Sequence, residues 1–197
     1  MKAKFTKRFF AFLIDIIIVS LIFTSLNMLI PEKKNVVVLE SELTNLRSDY
    51  MTDEIDTSVY VNRYASIKRS LDKEYLPNNI LNIIIILGYF VLLPYYWDGK
   101  TIGKKVFKLK IVKENVKEKV SLNDYLLRSL VINAVASFLV SASLVFLIDD
   151  FNYFLVTTIC GIVQFLLVII SIFMIIYRHD LRGVHDLVSG TQVIKEG

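Results

Sequence analysis

Four long apolar runs carry almost no charge, and this feature constrains the fold of the chain more than any other. The chain has 23 Lys and Arg and 19 Asp and Glu among 197 residues, yet within these runs only Asp15 and Arg128 are charged. Runs of about 20 apolar residues match the hydrocarbon thickness of a bilayer, whereas a soluble helix needs a polar face. The sequence therefore excludes a soluble globular enzyme and predicts four membrane spans, at residues 9–30, 80–97, 125–148 and 152–177.

The predicted spans define the expected fold class. Because lipid offers no hydrogen-bond partners, each span must satisfy its own backbone groups and is expected to be a helix. We predict an all-α membrane protein, a four-transmembrane-helix bundle that forms one domain over residues 1–197. Four helices are too few to enclose a wide channel, so a broad pore would require several copies of the chain. We expect the protein to form a homo-oligomer.

The first run follows a basic segment, and two interpretations fit this pattern. A cleaved secretory signal also places basic residues before an apolar run. This run is 22 residues long, contains Asp15 and ends without a small-x-small cleavage site. The pattern therefore favours a signal anchor that remains as the first helix.

The distribution of Lys and Arg among the connecting segments predicts the topology. The first eight residues contain four basic residues, and segment 98–124 contains eight lysines, whereas segment 31–79 is net acidic. We therefore expect an N-in/C-in arrangement. In it, the amino terminus, the basic loop 98–124 and the tail 178–197 lie in the cytoplasm, and segment 31–79 lies outside.

Segment 31–79 contains two apolar stripes at helical spacing. The stripes are Leu39, Leu43, Leu46 and Tyr50, and then Tyr64, Ile67, Leu71 and Tyr75. We predict two short extracytoplasmic amphipathic helices, with Pro77 ending the second one before the second span. They form either a lid over a ligand or a helical spacer, and the spacer is the simpler interpretation.

The basic loop changes from helical to strand periodicity, because Leu109 and Ile111 alternate with lysines. Residues 116–120 are expected to return as a partner strand, and residues 191–195 repeat the same alternation. We therefore predict a short cytoplasmic β-ribbon.

The lysines of this loop are expected to face the lipid headgroups, namely Lys100, Lys104, Lys105, Lys108 and Lys110. Anionic lipids attract basic residues near the surface by about 1 kcal/mol each. Nucleic acid is the rival partner for such a lysine-rich segment, but the positive-inside bias accounts for the lysines without it. We predict an anionic lipid partner and no nucleic acid.

Asp15 is the most informative residue, because an ionisable group within a span is costly and normally finds a partner. Arg8 lies seven residues earlier on the same helical face. Arg128 lies about one turn into the third span and is the expected counter-charge of Asp15. Two interpretations stay open: a buried ion pair that fixes helix register, or a carboxylate that takes a cation or a proton during transport.

The third and fourth spans carry stripes of small and polar residues, which usually mark helix–helix contacts. The stripes are Ser129, Asn133, Ser137 and Ser141 in the third span, and Thr157, Gly161, Gln164, Val168 and Ser171 in the fourth. Asn133 and Gln164 are expected at mid-membrane. They are therefore also candidates for the wall of a hydrophilic path.

Two His-Asp pairs follow the fourth span: His179 with Asp180, and His185 with Asp186. A metal site is one hypothesis, but the neighbouring arginines disfavour a bound cation, so we predict no metal. We expect an electrostatic cluster at the cytoplasmic mouth instead, in which Asp186 meets Arg8 or Arg182.

Four separated stretches together resemble the RDD family of bacterial membrane proteins, which is named for one arginine and two aspartates. They contain Arg8, Ala11 and Asp15, then Gly-Lys-Thr-Ile-Gly-Lys-Lys at 99–105, then Arg128, and finally residues 182–193 with Asp186. The resemblance implies a multi-pass protein of the bacterial cytoplasmic (inner) membrane. It also implies transport as a function, with cation/proton exchange among the candidates.

We therefore expect a small transporter of an ion or small solute. Asp15 would exchange Arg128 for a proton or a cation, while Arg8, Arg182 and Asp186 gate the cytoplasmic side. The alternative is a non-transporting accessory protein that binds a membrane partner or anionic lipids. No cofactor is expected, and no Ser-His-Asp or paired-carboxylate arrangement is apparent, so an enzyme is the least favoured function.

Overall fold

A computed structural model of the chain describes residues 2–31, 33–115 and 118–196. Within these ranges the chain is mainly helical, with one two-stranded sheet. Three helical stretches are long and apolar enough to cross a membrane, and a bent helix pair supplies a fourth if it counts as one span. The mainly helical, membrane-type part of the predicted fold class is confirmed, with three or four candidate spans where four were predicted. The stretches are Phe5–Asn27, Thr57–Tyr96 and Asp150–Tyr177, and the bent pair is Leu122–Ile132 with Val135–Leu144.

The first helix, α1 (Phe5–Asn27), buries only one narrow stripe. Ala11, Asp15 and Val19 recur every four residues and are its buried members, because helical residues four apart lie on one face. The small side chain of Ala11 allows the short helix α5 (Ile102–Val106) to approach α1 closely. The buried stripe therefore places one carboxylate directly against α5.

Segment 31–79 contains one separate helix instead of two short ones. The separate helix is α2 (Lys34–Met51), whereas α3 (Thr57–Leu87) runs through Pro77 into the second apolar run. The predicted helix end at Pro77 is therefore wrong.

Ion pairs hold the α2–α3 hairpin in place and explain why α3 continues past the proline. Lys33 Nζ lies 3.1 Å from a carboxylate oxygen of Glu74 and ties the start of α2 to α3. Arg69 Nη1 lies 2.7 Å from Asp150, and its Nε donates to the carbonyl of Val145 at 2.8 Å. The helix before the proline is thus fixed by tertiary contacts, which offset the backbone hydrogen bond that a proline removes.

The second apolar run is irregular near its end. A π-helical turn (Gly88–Leu92) follows α3 and leads into the short helix α4 (Leu93–Tyr96). Such turns are rare and occur frequently at functional sites. This turn carries Tyr89 and Phe90, both of which belong to the site described below.

The predicted third span, residues 125–148, is not one continuous helix. Two helices, α6 (Leu122–Ile132) and α7 (Val135–Leu144), meet at an angle of 74°. Ala134 between them has a φ of 56°, in the left-handed region. The end of α6 leaves carbonyl groups without helical partners, and Gln164 donates to one of them, that of Val131, at 2.8 Å.

The break also divides the polar stripe predicted for the third span. Asn133 Nδ2 donates to Ser129 Oγ at 3.0 Å on the α6 side, whereas Ser141 Oγ bonds within its own helix, to the carbonyl of Phe138. The four polar residues therefore do not form one continuous face.

The fourth apolar run forms one uninterrupted helix, α8 (Asp150–Tyr177). Asp149 caps it by accepting a hydrogen bond from the backbone N–H of Asn152 at 3.0 Å, as expected of an acidic residue at a helix start. The predicted span at residues 152–177 is close to these bounds.

The two strands form an antiparallel pair, β1 (Leu109–Lys113) with β2 (Thr191–Lys195). The predicted alternation is correct for both strands, and Ile111 lies opposite Val193. Of the expected return strand at 116–120, Val116 and Lys117 lie outside the described residues, and Glu118–Val120 has no strand structure.

The sheet packs against one end of the helical bundle. Its buried side chains join a core cluster with residues of α1, the π-helical turn and α6, whose members are Ala3, Ala11, Val91, Leu109, Ile111, Tyr125 and Val193. A five-residue helix, α9 (Val184–Val188), lies just before β2. We call this end, formed by α5, α9 and the sheet, the charged end.

Candidate functional site

Asp15 is fully buried and is held by three hydrogen-bond donors. Tyr89 Oη donates to it at 2.7 Å, Thr101 Oγ1 at 2.6 Å and the backbone N–H of Gly103 at 2.8 Å. Lys104 Nζ lies farther away, 3.8 Å from Oδ2. The carboxylate therefore joins α1, the π-helical turn and α5 at a single point.

Both glycines of segment 99–105 are required by the space available. A Cβ on Gly103 would lie 2.0 Å from the carbonyl oxygen of Ala11, and one on Gly99 would lie 2.2 Å from that of Ile111. Gly99 also has a φ of +80°, which side chains disfavour. The 99–105 segment thus serves as a close-fitting support for Asp15.

The predicted pairing of Asp15 with Arg128 is wrong. Arg128 Nη1 donates to Asp186 and, at 2.6 Å, to Thr191 Oγ1. Asp186 accepts a second charged hydrogen bond from Arg8 Nη1 at 2.8 Å. The two arginines share one carboxylate because the chain after α8 folds back beneath the bundle, which sequence spacing alone does not indicate.

Asp186 is ionised in this setting. Burial opposes its negative charge, but the guanidinium groups of Arg128 and Arg8 hold the pKa of the carboxyl group well below its usual range. Its Oδ2 also accepts a hydrogen bond from the backbone N–H of Gly183 at 3.2 Å. Asp186 therefore neutralises one of the two arginine charges.

His185, next to Asp186, is neutral. Burial lowers its pKa to about 3, although the neighbouring carboxylate acts in the opposite direction. Its Nδ1 is hydrogen-bonded to Ser171 Oγ at 2.8 Å, and a Cβ on Gly183 would lie 2.4 Å from the same oxygen. This contact ties α9 to α8.

Arg182 does not join this cluster. Its Nη1 lies 2.7 Å from Oε2 of Glu114, and its Nε lies 3.0 Å from Oδ2 of Asp180. Hydrogen bonds from Arg178 and Arg182 lower the pKa of Asp180. Of the two partners predicted for Asp186, only Arg8 is correct.

The lysines of the basic loop have different environments. Lys104 is turned inward toward Asp15, and burial lowers its pKa to about 8, so it does not belong among the lipid-facing lysines. Lys100 pairs with Glu196 at 2.5 Å, and Lys110 pairs with Asp98 at 3.1 Å. Lys105 and Lys108 are exposed, and contact of these lysines with lipid remains a prediction.

A cavity of about 220 Å³ lies beside the charged cluster. Its wall includes three cationic side chains, those of Arg8, Arg128 and Lys104. The neutral polar part of the wall consists of Ser129, Asn133, Ser171 and His185. Asn133 thus lines the cavity, whereas Gln164 supports the helix break. A hydrophilic path through these residues stays a prediction.

Sequence reasoning missed the three donors to Asp15, which are Tyr89, Thr101 and Gly103, and the inward position of Lys104. One local signal was available, because Thr101 precedes a helix and accepts a hydrogen bond from Lys104 N as its N-cap. Contact with Asp15, 86 residues away, had no such signal. Among the described residues, no three His, Cys, Asp or Glu side chains converge on a metal-sized site.

Comparisons with known proteins find one family and one relative. The model of the RDD family matches residues 2–190. The Uncharacterized protein YckC of Bacillus subtilis (strain 168) is 34% identical over 118 residues, or 59% of this chain and 62% of that protein. The chain thus spans about three fifths of the length of this relative. No solved structure matches this chain.

Proposed function

The chain belongs to the RDD family, and from this premise we propose that it is a small, non-enzymatic transporter of an ion or small solute in the bacterial inner membrane. The proposed solute site is the cavity at the charged end. In the N-in/C-in arrangement that the basic residues favour, this end faces the cytoplasm.

One observation carries the proposal: two irregular spans border the same cavity as the buried charges. Phe90 of the π-helical turn and Asn133 of the α6–α7 break both line it, together with Arg128. Irregular backbone at membrane depth is tolerated where it is buried in protein or lines a cavity. Transporters commonly place their solute sites at such interrupted helices.

The charged groups supply a means of opening and closing the cavity. Asp186 bridges Arg8 and Arg128 and so connects α9 to α1 and α6. Loss of this bridge would release α9 from α1 and α6 and so open the cavity toward the cytoplasm. Lys104, whose pKa burial lowers to about 8, lies beside Asp15 and provides a group that can exchange a proton near neutral pH.

The test is flux in proteoliposomes under sodium, potassium and pH gradients, reported by dyes. We compare the unmodified protein with Asp15→Asn, and use Asp98→Asn, an exposed carboxylate, as the matched control. We expect gradient-dependent flux that Asp15→Asn abolishes and Asp98→Asn preserves.

Folding is checked separately, because the side-chain NH₂ group of asparagine would face the hydrogen-bond donors that surround Asp15, and two donors cannot bond to each other. Monodisperse elution and an unchanged unfolding temperature identify a folded variant, and Tyr89→Phe, which removes only one donor, serves as the milder substitute. Absence of flux from the unmodified protein under every gradient would contradict the transport proposal.

A second candidate function is that of an accessory protein, and the α2–α3 hairpin favours it. Val37 and Val38 of α2 are more than half exposed, and adjacent exposed apolar residues are suited to a partner in the membrane or to a second copy. Stable co-purification of another membrane protein that Val37→Ser with Val38→Ser abolishes would support this function. Flux by the isolated protein would argue against it.

A further inference from the structure

The cavity at the charged end has an apolar body and one cationic corner. Phenylalanine side chains from α1 and the π-helical turn, including Phe12 and Phe90, form much of the wall. The cationic corner consists of Arg8, Lys104 and Arg128. A purely hydrophilic solute would leave most of this wall without a complementary surface.

Positive charge exceeds negative charge around this corner. Its three cations are paired with two carboxylates, those of Asp15 and Asp186, while the adjacent His185 is neutral. One positive charge is therefore left over among the described residues of the cluster. Because an uncompensated buried charge is strongly unfavourable, the corner favours an added anion.

Arg8 gives an independent indication of a missing acceptor. Its side chain is only 9% exposed, and its two terminal nitrogens donate to Asp186 and to the carbonyl of Val193. Its Nε has no hydrogen-bond partner among the described residues. Buried guanidinium donors are normally satisfied, and an anionic oxygen in the cavity would satisfy this one.

The apolar part of the cavity reaches the lipid-facing surface. Phe9 and Ile172 line the cavity and are nevertheless 48% and 40% exposed. An alkyl chain longer than the cavity can therefore pass between α1 and α8 into the bilayer. This opening gives an amphiphile a route that a hydrated ion would not use.

We propose that this cavity binds an amphiphilic anion, with its headgroup among Arg8, Lys104 and Arg128 and its alkyl chain along the phenylalanines toward the lipid. The inference rests on the proposed function in one respect, because it assigns the solute class of that same cavity. Either a leaflet lipid or a free single-chain amphiphile presents this chemistry.

The affinity for such an anion depends on pH through Lys104. Burial lowers the pKa of its amine to about 8, so the corner loses positive charge as pH rises through that value. The charged and titratable groups that surround Lys104 are Arg8, Asp15, Tyr89, Arg128, His185 and Asp186. Binding is therefore expected to weaken between pH 7 and pH 9.5.

The first experiment separates headgroup from chain with defined probes. Native mass spectrometry of the full chain in a neutral detergent measures binding of dodecanesulfonate, which is a monoanion throughout this pH range, and of uncharged dodecanol. Methanesulfonate and inorganic phosphate enter as competitors of dodecanesulfonate. We expect one dodecanesulfonate per chain, at least tenfold weaker binding of dodecanol and no competition from the two small anions.

Two results of this experiment would overturn the inference. Dodecanol bound as tightly as dodecanesulfonate would reveal an apolar cavity without an anion site. Effective competition by methanesulfonate or phosphate at similar concentrations would reveal a simple anion site without a chain. Lipid discs with and without phosphatidylglycerol then distinguish a leaflet lipid from a free single-chain amphiphile as the natural ligand. Only a leaflet lipid would compete with dodecanesulfonate and lower its apparent affinity.

Matched variants on one helix locate the headgroup. Lys104 and Lys105 are adjacent in α5, but Lys104 lines the cavity whereas Lys105 stacks over the Trp97 ring. We expect Lys104→Gln to weaken dodecanesulfonate binding at least tenfold and to remove its pH dependence. Lys105→Gln should change the affinity less than twofold, and equal effects of the two substitutions would overturn the assignment.

A second matched pair locates the chain. Ile172→Trp is expected to fill the cavity, and Ile176→Trp places the same bulk at an exposed α8 position outside the cavity wall. Only the first should block dodecanesulfonate. Binding without flux of any solute would contradict the transport proposal alone, whereas ion flux by a protein that binds no dodecanesulfonate would contradict this inference alone.

Discussion

Two histidines of the chain differ in environment and so provide an internal comparison at the scale of single residues. His185 is buried against Ser171 and Asp186, whereas His179 is exposed. When the pKa of a group is lower in the folded state than in the unfolded state, the unfolded chain binds the proton already at a higher pH, and this binding favours unfolding. Stability is therefore lost as pH falls.

We expect acidification to destabilise the folded protein through His185. Its pKa is about 3 in the fold and about 6.5 when unfolded, so the loss begins below pH 6.5 and amounts to about 1.4 kcal/mol between pH 7.5 and pH 5.5. Chemical unfolding in detergent at the two pH values measures it. His185→Asn should remove this loss while His179→Asn retains it. An unchanged pH dependence in His185→Asn would show that other groups cause it.

At the scale of secondary-structure elements, the α6–α7 break is the feature with the clearest local cause. Ala134 has a φ of 56°, where a side chain costs roughly 1–2 kcal/mol and glycine does not. Gln164 supplies a donor to the carbonyl of Val131 at the end of α6. The bend is therefore fixed both by backbone geometry and by a neighbouring helix.

Two alanine-to-glycine substitutions are expected to have opposite signs. Ala134→Gly should raise the free energy of unfolding by about 1 kcal/mol, because it relieves the left-handed strain. Ala136→Gly, two residues later inside α7, should lower it by about 1 kcal/mol, because glycine is a poor helix former. Urea unfolding in detergent distinguishes them. Destabilisation by both substitutions would indicate a regular helix across positions 133–134.

The elements also show how far the sequence could predict this fold. The presence of α1 and α8 follows from uncharged runs of sufficient length, and β1 and β2 follow from alternation with polar and basic residues. The break was not predictable, since neither Gly nor Pro stands at positions 132–135. Pro77 suggested a helix end, but contacts of Arg69 and Glu74 with other elements keep α3 continuous.

Four of the charged residues that the sequence singled out for the candidate site do meet there, but their pairing was not predictable. Arg8, Asp15 and Arg128 stand out because charged residues are costly at or within apolar helices. Asp186 stands out as part of a His-Asp pair among arginines. Which acid meets which base depends on the tail folding back under α6, so that Asp186 reaches Arg128 across 58 residues of sequence. No local pattern encodes such a contact.

At the scale of the whole molecule, the charged end and the hairpin lie at separate places and are fixed by separate contacts. Asp186 and Asp15 hold the charged end together, whereas Arg69 links α3 to the α7–α8 connection through Asp150 and Val145. Contacts this distant from each other usually contribute independently to stability.

Arg69→Met is therefore expected to loosen the hairpin and leave the cavity intact. Deuterium exchange should rise in α2 and in the first half of α3 by at least tenfold in rate, while dodecanesulfonate binding stays within twofold. Arg63→Met removes a charge from an exposed position of the same helix and should change neither. Weakened binding in Arg69→Met would show that the two regions are coupled.

The bond between Arg8 and Asp186 joins residues 178 positions apart, and this separation has a consequence for biogenesis. During synthesis, α1 and α6 are complete before the ribosome reaches α9, so both guanidinium groups exist for a time without their shared carboxylate. The charged end is therefore the last part of the molecule to close, and its closure reports that the chain has been made through residue 186. A nascent chain that stops before residue 186 presents two unneutralised arginines to the bilayer.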